Sequence, residues 1–256
     1  MVILEGGPAC ASALLSTKVD LTAAFGPLIR RAMRDGVTGF KGISGLSKGI
    51  GFRIVGKPDL NSINDLQGKG IESPSSDWSG GTYLKYVLRE LGVDGSIQAR
   101  FNYGTQEQRL AGLLKGEFDA GLFSLEKALI AREQGFKVLV DFDKVIPDVC
   151  GSVLTTTPEL IGERREDIKK VIRAVRRGIR EMEASSEGCV RYLVEKFSMP
   201  TGAAVSLTNL MGHNWSTDFN IITTQKEIDI NHSVHRLQWL PAKDIVDLTL
   251  LREVSA

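Results

Sequence analysis

The sequence predicts an α/β protein of two lobes, on three observations. Strand-like and helix-like patterns alternate as far as Phe142, a block near the N-terminus recurs further along, and the pattern turns mostly helical from Pro158. A chain of 256 residues is long enough for one large domain or two lobes of ordinary size.

The recurring block sets the architecture. Leu14–Leu15–Ser16–Thr17–Lys18–Val19–Asp20–Leu21 continues through Phe25 to Gly36, and Leu113–Leu114–Lys115–Gly116–Glu117–Phe118–Asp119–Ala120 continues through Phe123 to Gly135 without a gap. Leu14, Leu15, Asp20, Ala32 and Gly36 match Leu113, Leu114, Asp119, Ala131 and Gly135. Each copy reads as the end of a helix, a short buried strand, then a helix stopped by glycine. Two equivalent α/β lobes are the economical explanation.

The elements follow in order. Val2–Glu5 reads as a short strand that ends at Gly6–Gly7–Pro8, where a helix opens and runs through Leu15. Thr38–Ser44 and Gly51–Val55 read as strands, Ile63–Leu66 as a helical turn, and Gly70–Ser73 as the next strand. A polar stretch, Pro74–Gly81, leads into a helix over Thr82–Leu91 capped by Gly92. Ile97–Phe101 is a strand, Gln106–Lys115 a helix and Lys137–Phe142 a strand. Helices are then expected over Asp167–Ala184, Glu187–Phe197, Ala203–Leu210 and Lys243–Leu251. Alternating strands and helices argue for a parallel sheet in each lobe.

Open α/β sheets bind ligands beyond the carboxyl ends of their strands, where helix N-termini present N–H groups. Three sets of residues have the composition for this. Gly6, Gly7 and Pro8 follow a strand and start a helix. Ser75, Ser76, Trp78, Ser79, Gly80 and Thr82 do the same, with hydroxyls, with glycines that let a ligand approach the backbone and with an indole able to stack on a flat ligand. Phe123–Ser124 and its counterpart Phe25–Gly26 sit after the repeated strands. Loops of this kind facing one another across a cleft suit binding by closure.

Composition excludes several function classes. The chain is 42% hydrophobic and 25% charged, with 32 Lys and Arg against 31 Asp and Glu, so no global field selects nucleic acid or an acidic membrane. Basic residues cluster locally from Arg164 to Arg180, interleaved with Val171, Ile172, Val175 and Ile179, the pattern of an amphipathic helix with a basic solvated side. No run of about 18 apolar residues occurs. Cys10, Cys150 and Cys189 are odd in number and far apart, fitting neither a disulfide framework nor a metal-spaced pair.

Catalytic and metal motifs fare no better. His232 and His235 have the spacing of two ligands on one helical face, but no Cys, Asp or Glu accompanies them at metal-site spacing, and His213 is distant. There is no Gly-x-Ser-x-Gly elbow, and the glycines from Gly45 to Gly51 lack phosphate-loop spacing. Asp20 and Asp119 mimic a carboxylate pair, yet their equivalence in the repeat favours a turn or capping role. Arg109, at the start of a helix, is placed either to reach an anionic ligand or to form a surface ion pair. No cofactor is expected.

Three segments together resemble a known family. Leu60–Ile71 resembles the "dLkGKkIgv" signature of periplasmic solute-binding proteins, Leu114–Ala120 their "aLlkGevDAa" motif, and Leu15–Leu21 its first-lobe counterpart. The order and spacing are similar to those of the nitrate/sulfonate/taurine class, also called thiamine-pyrimidine-synthesis-like, over roughly residues 1–185. That resemblance implies a type II periplasmic-binding-protein fold, with lobe 1 over 1–67 and 146–256 and lobe 2 over 68–145. It also implies the substrate-binding component of an ABC importer, monomeric, taking a small organic or anionic solute to a membrane permease, with no nucleic-acid partner and no enzymatic activity. Members begin with a strand and helix ahead of the Val2–Glu5 segment, and a start codon placed too far downstream would account for the absence of both that pair and a leader. An upstream leader would make the protein periplasmic or membrane-anchored outside the cytoplasm, whereas Met1 as the true start would leave it cytoplasmic. Two alternatives share the superfamily: a thiamine-pyrimidine-synthesis-like enzyme, whose cysteine-rich iron motif is missing here, and the ligand-sensing half of a transcription regulator, whose helix-turn-helix is missing.

Overall fold

The computed structural model describes residues 2, 4, 6–76, 78–101, 104–211 and 214–255. The chain divides into two compact units, the first of Met1–Ile50, Asp148–Ala184 and His213–Ala256, the second of Gly51–Pro147 and Ser185–Gly212. The first opens with α1 (Gly6–Leu15), α2 (Phe25–Asp35) and β1 (Lys41–Gly45). The second takes β2 (Phe52–Gly56), a 3₁₀ turn at Ile63–Leu66, β3 (Gly70–Glu72), α3 (Ser79–Glu90), β4 (Gln98–Arg100) and α4 (Gln106–Lys115). It continues with β5 (Ala120–Ser124), α5 (Leu125–Glu133), β6 (Lys137–Asp141) and the single turn α6 (Phe142–Val145). β7 (Val153–Thr156), α7 (Pro158–Glu163) and α8 (Arg165–Ala184) return to the first unit. α9 (Ser186–Phe197) and α10 (Thr201–Met211) belong to the second, and α11 (Ile221–His235) and α12 (Thr249–Ser255) to the first.

The repeat is a structural one. In each copy a helix ends on a residue in the left-handed region, Thr17 at φ 58° and Gly116 at φ 78°. The hydrogen bonds are also equivalent: Thr17 N donates to Leu14 O and Lys18 N to Ala13 O, as Gly116 N does to Leu113 O and Glu117 N to Gly112 O. This is the Schellman pattern, which satisfies carbonyls at the helix end. The second helices of the copies, α2 and α5, both end at glycines with positive φ, Gly36 and Gly135.

The copies differ in the strand between their helices. In the second unit Ala120–Ser124 forms β5, inside a five-stranded sheet of order β4-β3-β5-β2-β6. In the first, Thr22 and Ala24 make only isolated bridges to Thr155 and Val153 of β7. The first unit's sheet is the antiparallel pair β1-β7, bridged further by Gly42 to Val246. The expectation of a parallel sheet in each lobe is therefore corrected twice. β3 runs parallel to β4 and β5, but β2 is antiparallel to both β5 and β6. β2 and β3 are not sheet neighbours, since β5 lies between them, so the turn-rich segment joining them leaves the direction of β2 open.

Packing moves the expected lobe boundaries. Residues 51–67 and 185–212, assigned from sequence to lobe 1, cluster in the second unit. β2 sits between β5 and β6, and α10 packs on α5 through Leu125, Leu129, Met199, Ala203 and Ala204. The first unit's core gathers Phe25, Leu28, Ile29, Met33, Phe40 and Ile228, and α8 buries Ile168, Ile172 and Ile179 as its amphipathic pattern predicts. The helix expected over Lys243–Leu251 is broken: a 3₁₀ turn at Ala242–Asp244 and the Val246 bridge precede α12. α11 was not anticipated, and part of the expected Val2–Glu5 strand lies outside the described residues.

Thr17 offers a direct test. A β-branched residue in the left-handed region costs roughly 1 kcal/mol or more that glycine avoids. Thr17→Gly should therefore raise the urea midpoint, by about 1 kcal/mol in stability, whereas Gly116→Ala should lower it by a similar amount.

Candidate functional site

One edge of the second unit's sheet collects the residues with binding chemistry. β3, β4 and β5 run one way and end there; β6 also ends there, and β2, running opposite, begins there. The register places Phe52 opposite Ser124, and Arg53 opposite both Phe123 and Asp141.

The loop between β3 and α3 lies at this edge. α3 begins at Ser79, and its N-cap Trp78 (φ −83°, ψ 151°) supplies no side-chain cap. The first-turn amides and the positive end of the helix dipole thus form an anion-receptive end. The two glycines let the loop lie against that turn. A Cβ on Gly81 would fall 2.1 Å from the Ser75 carbonyl oxygen, and one on Gly80 2.3 Å from the Trp78 ring. The Trp78 ring meets Phe52 edge-on, with centroids 4.9 Å apart and planes at 65°. Ser75, Ser76, Trp78 and Ser79 are partly buried, and Gly80 and Thr82 are buried. Ser73 is fully buried, and its hydroxyl finds no hydrogen-bond partner among the described residues.

Arg109 holds the neighbouring strand end. It is completely buried; its Nε donates to Leu122 O at 2.9 Å and its Nη1 to Gly104 O at 3.4 Å, while the guanidinium lies 5.4 Å from the Phe123 ring centroid. Burial pushes its pKa down to about 10, so it stays protonated at neutral pH. Of the two roles weighed from sequence, the surface ion pair is not realised: Arg109 is an internal brace. Ser124, ending β5, has its N–H donated to Gln106 Oε1 at 2.9 Å and its Oγ 2.7 Å from Glu126 Oε1.

A buried ionic cluster completes the edge. Arg53 Nη1 lies 3.0 Å from both Asp141 Oδ1 and Asp143 Oδ2, with its side chain 9% exposed. Asp143 also accepts from Gly51 N at 3.2 Å, and Asp141 caps α6. Sequence reasoning missed Phe52, Arg53, Asp141 and Asp143. The only local signal was the Asp–Phe–Asp run at a strand end.

The first unit's expected residues divide. Gly6 and Pro8 are exposed in the first turn of α1, and Gly26 is partly buried near the start of α2. Gly7 is a packing glycine, since a Cβ there would meet the Pro27 ring at 2.5 Å. Phe25 is 1% exposed, edge-on to Phe40 and Phe219, and Phe123 is 0% exposed. Burial corrects the expectation for both: they support their loops from below and present no surface to a solute. Asp20 and Asp119 pair with basic groups, Asp20 with Arg164 at 2.6 Å and Asp119 with Lys57 at 2.8 Å and Lys69 at 3.5 Å. The Lys57 ammonium holds the Asp119 carboxyl below its ordinary pKa.

Among the described residues no group of three or more His, Cys, Asp and Glu is placed to hold a metal ion. His232 Nδ1 sits 2.6 Å from Leu237 O, and His213 lies outside the described residues. The Cys150 Sγ donates to Glu227 Oε2 at 2.7 Å in the first unit's interior, where burial and the Glu227 carboxylate push the thiol well up. No described helix is long and apolar enough to cross a membrane.

The chain is an α/β protein of two units, with ligand-type loop residues gathered at one edge of the second unit's sheet. The chain belongs to the NMT1/THI5-like family, which matches residues 50–187. No curated protein matches it. Among solved structures it is similar to the alkanesulfonate-binding protein SsuA from Xanthomonas axonopodis pv. citri bound to MOPS. The identity is 15% and the TM-score 0.80, over 97% of this chain and 87% of that one. The periplasmic aliphatic sulphonate binding protein SsuA from Escherichia coli matches at 16% identity and TM-score 0.80, over 95% of this chain and 80% of that one. The desulfurization enzyme DSZB matches at 11% identity and TM-score 0.71, over 90% of this chain and 83% of that one. At these identities the likeness is one of fold.

Two outcomes follow from the local geometry. Gly81→Ala should destabilise the protein by about 1–3 kcal/mol through overpacking, whereas Gly95→Ala, where an added Cβ meets nothing within 4 Å, should stay within about 0.5 kcal/mol of the parent; urea titration reads both. Ellman's reagent should label Cys10 and Cys189 in the folded protein and reach Cys150 only on unfolding.

Proposed function

We propose that the chain is the substrate-binding component of an ABC-type importer, taking a small organic or anionic solute and delivering it to a membrane permease from outside the cytoplasm. The double-glycine start of α3, with its first-turn amides and helix dipole, carries this reading. Its amides, with the hydroxyls of Ser75, Ser76, Ser79 and Thr82, suit a solute's polar or anionic head, and Trp78 over Phe52 supplies an apolar wall beside them. In the first unit, Gly6, Pro8 and Gly26 remain the candidate contacts, and Ser124 joins those of the second. A bound solute would favour one conformational state by its differential affinity, and the permease would read that state. The protein acts as a monomer in this reading, and nucleic acid takes no part.

The similarity to SsuA proteins supports an anionic solute, sulfonates first. The similarity to a desulfurization enzyme keeps a second reading, catalysis on the same scaffold, within the same experiment.

Thermal-shift titration tests the proposal with alkanesulfonates, small carboxylates, nitrate and pyrimidines. A ligand that binds only the folded form adds about 2.7 kcal/mol at a hundredfold excess over Kd. At least one solute should raise the melting temperature and be recovered unchanged, and Ser76→Ala with Thr82→Ala should weaken the response. No shift with any of them would overturn the proposal, and chemical conversion of the solute would replace it with the catalytic reading.

A further inference from the structure

α8 carries two chemically different stretches of basic residues. Around its start the charges are neutralised: Arg164 pairs with Asp20 and Asp167, Arg165 with Glu253, Lys169 with Glu166 and Glu253, and Lys170 with Asp167. Further along, no carboxylate among the described residues lies within ion-pair distance of Arg173, Arg177 or Arg180. Guanidiniums are always charged at physiological pH, so this second stretch holds uncompensated charge.

Two of these arginines, Arg173 and Arg180, converge with Arg176 on a concavity. Arg173, Arg176 and Arg180, spaced three and four residues apart, share one helical face. With Trp215, Ser216 and Thr217 they line a cavity of about 450 Å³ that lies entirely in the first unit, and Glu183 is its one carboxylate. Arg176 is held in place, its Nη1 donating to Val254 O at 3.1 Å, and the Asp218 carboxylate attracts it. The Trp215 backbone is fixed by its bridge to Ser47, and Ser216 Oγ accepts from Asp218 N at 3.0 Å.

We infer that this cavity is a second ligand site, separate from the loop before α3, for a phosphate monoester carried on an aromatic or similarly flat body. Asp218 is itself paired with Lys48 at 3.0 Å, so three guanidiniums against Glu183 leave an excess of two positive charges, which matches a dianionic group better than a monoanionic sulfonate. The volume is that of a small-molecule pocket. The Trp215 indole supplies the apolar wall for the body, and the Ser216 and Thr217 hydroxyls can bond the remaining oxygens. A solvated basic face would need neither the indole nor the concavity.

Titration of the full chain with phenyl phosphate at pH 7.5, followed by calorimetry and tryptophan fluorescence, tests the assignment. Saturable binding is expected, tighter than that of inorganic phosphate or benzenesulfonate. It should weaken roughly tenfold or more in the Arg173→Ala/Arg180→Ala variant and in Trp215→Ala, and stay unchanged in Ser76→Ala. Arg173 and Arg180 are exposed, so the double variant should keep the parent's melting temperature and circular dichroism. Equal affinity in the double variant, loss of binding in Ser76→Ala, or no saturable signal at all would overturn the inference. So would an oligonucleotide binding this face more tightly than phenyl phosphate. Because the two sites are read by different variants, failure here leaves the transport reading intact, and the reverse also holds.

Discussion

The Arg53 cluster is the constraint on which the second unit depends. A buried guanidinium is expensive to desolvate and is tolerated where its partners and geometry are complete. Asp141 and Asp143, each at 3.0 Å, complete it. The same carboxylates cap α6 and accept the Gly51 amide, so one cluster fixes where the chain enters the unit, where β2 starts and where β6 ends. With β2 held between β5 and β6, Phe52 lies where the Trp78 ring can rest on it. The position of the loop before α3 is thus set by an ion cluster across the sheet as well as by the loop's own glycines.

The repeat shows which features a sequence carries and which it does not. A helix end with a left-handed cap is local: a few apolar positions and one residue tolerant of positive φ specify it, and both copies obey. A strand is only as extensive as its neighbours. Ala120–Ser124 has β3 on one side and β2 on the other, whereas Thr22 and Ala24 find only β7. Those partners lie far along the chain, so nothing in residues 14–36 announces the difference. The direction of β2 was hidden for the same reason, since its apolar run looks the same whether its neighbours run parallel or antiparallel.

The candidate site was legible where composition mattered and illegible where long-range pairing did. Hydroxyls and paired glycines ahead of a helix marked the Ser75–Thr82 loop, and the structure adds the reason for the glycines: the Ser75 carbonyl and the Trp78 ring occupy the space of two side chains. Phe25 and Phe123 were drawn toward the site by their place after repeated strands, yet aromatic residues at such positions also fill the core beneath, and here they do. Arg109 looked like a charge at a helix start. Its extended side chain instead reaches inward to the Leu122 carbonyl, a direction that helix position alone does not reveal. The lobe boundary at Ile50 and Gly51 falls in the glycine-rich stretch from Gly45 to Gly51, weighed from sequence only as a phosphate loop.

A fold shared by proteins described as binding proteins and by one described as an enzyme does not decide between the two activities. The reading proposed above rests on the groups at this edge. At this edge the ionisable side chains are largely one another's partners: Arg53 with Asp141 and Asp143, Glu72 with Arg100, Glu107 with Lys127. Proton transfer needs an acid or base free to exchange its proton with a substrate, and carboxylates committed to cations are poorly placed to do so. The contacts proposed for a solute are the first turn of α3, the hydroxyls of Ser75, Ser76, Ser79 and Thr82, and the Trp78 indole. These groups offer hydrogen bonds and contact area without changing charge. That is the chemistry of recognition, and it is the reason the edge is read as a receptor surface.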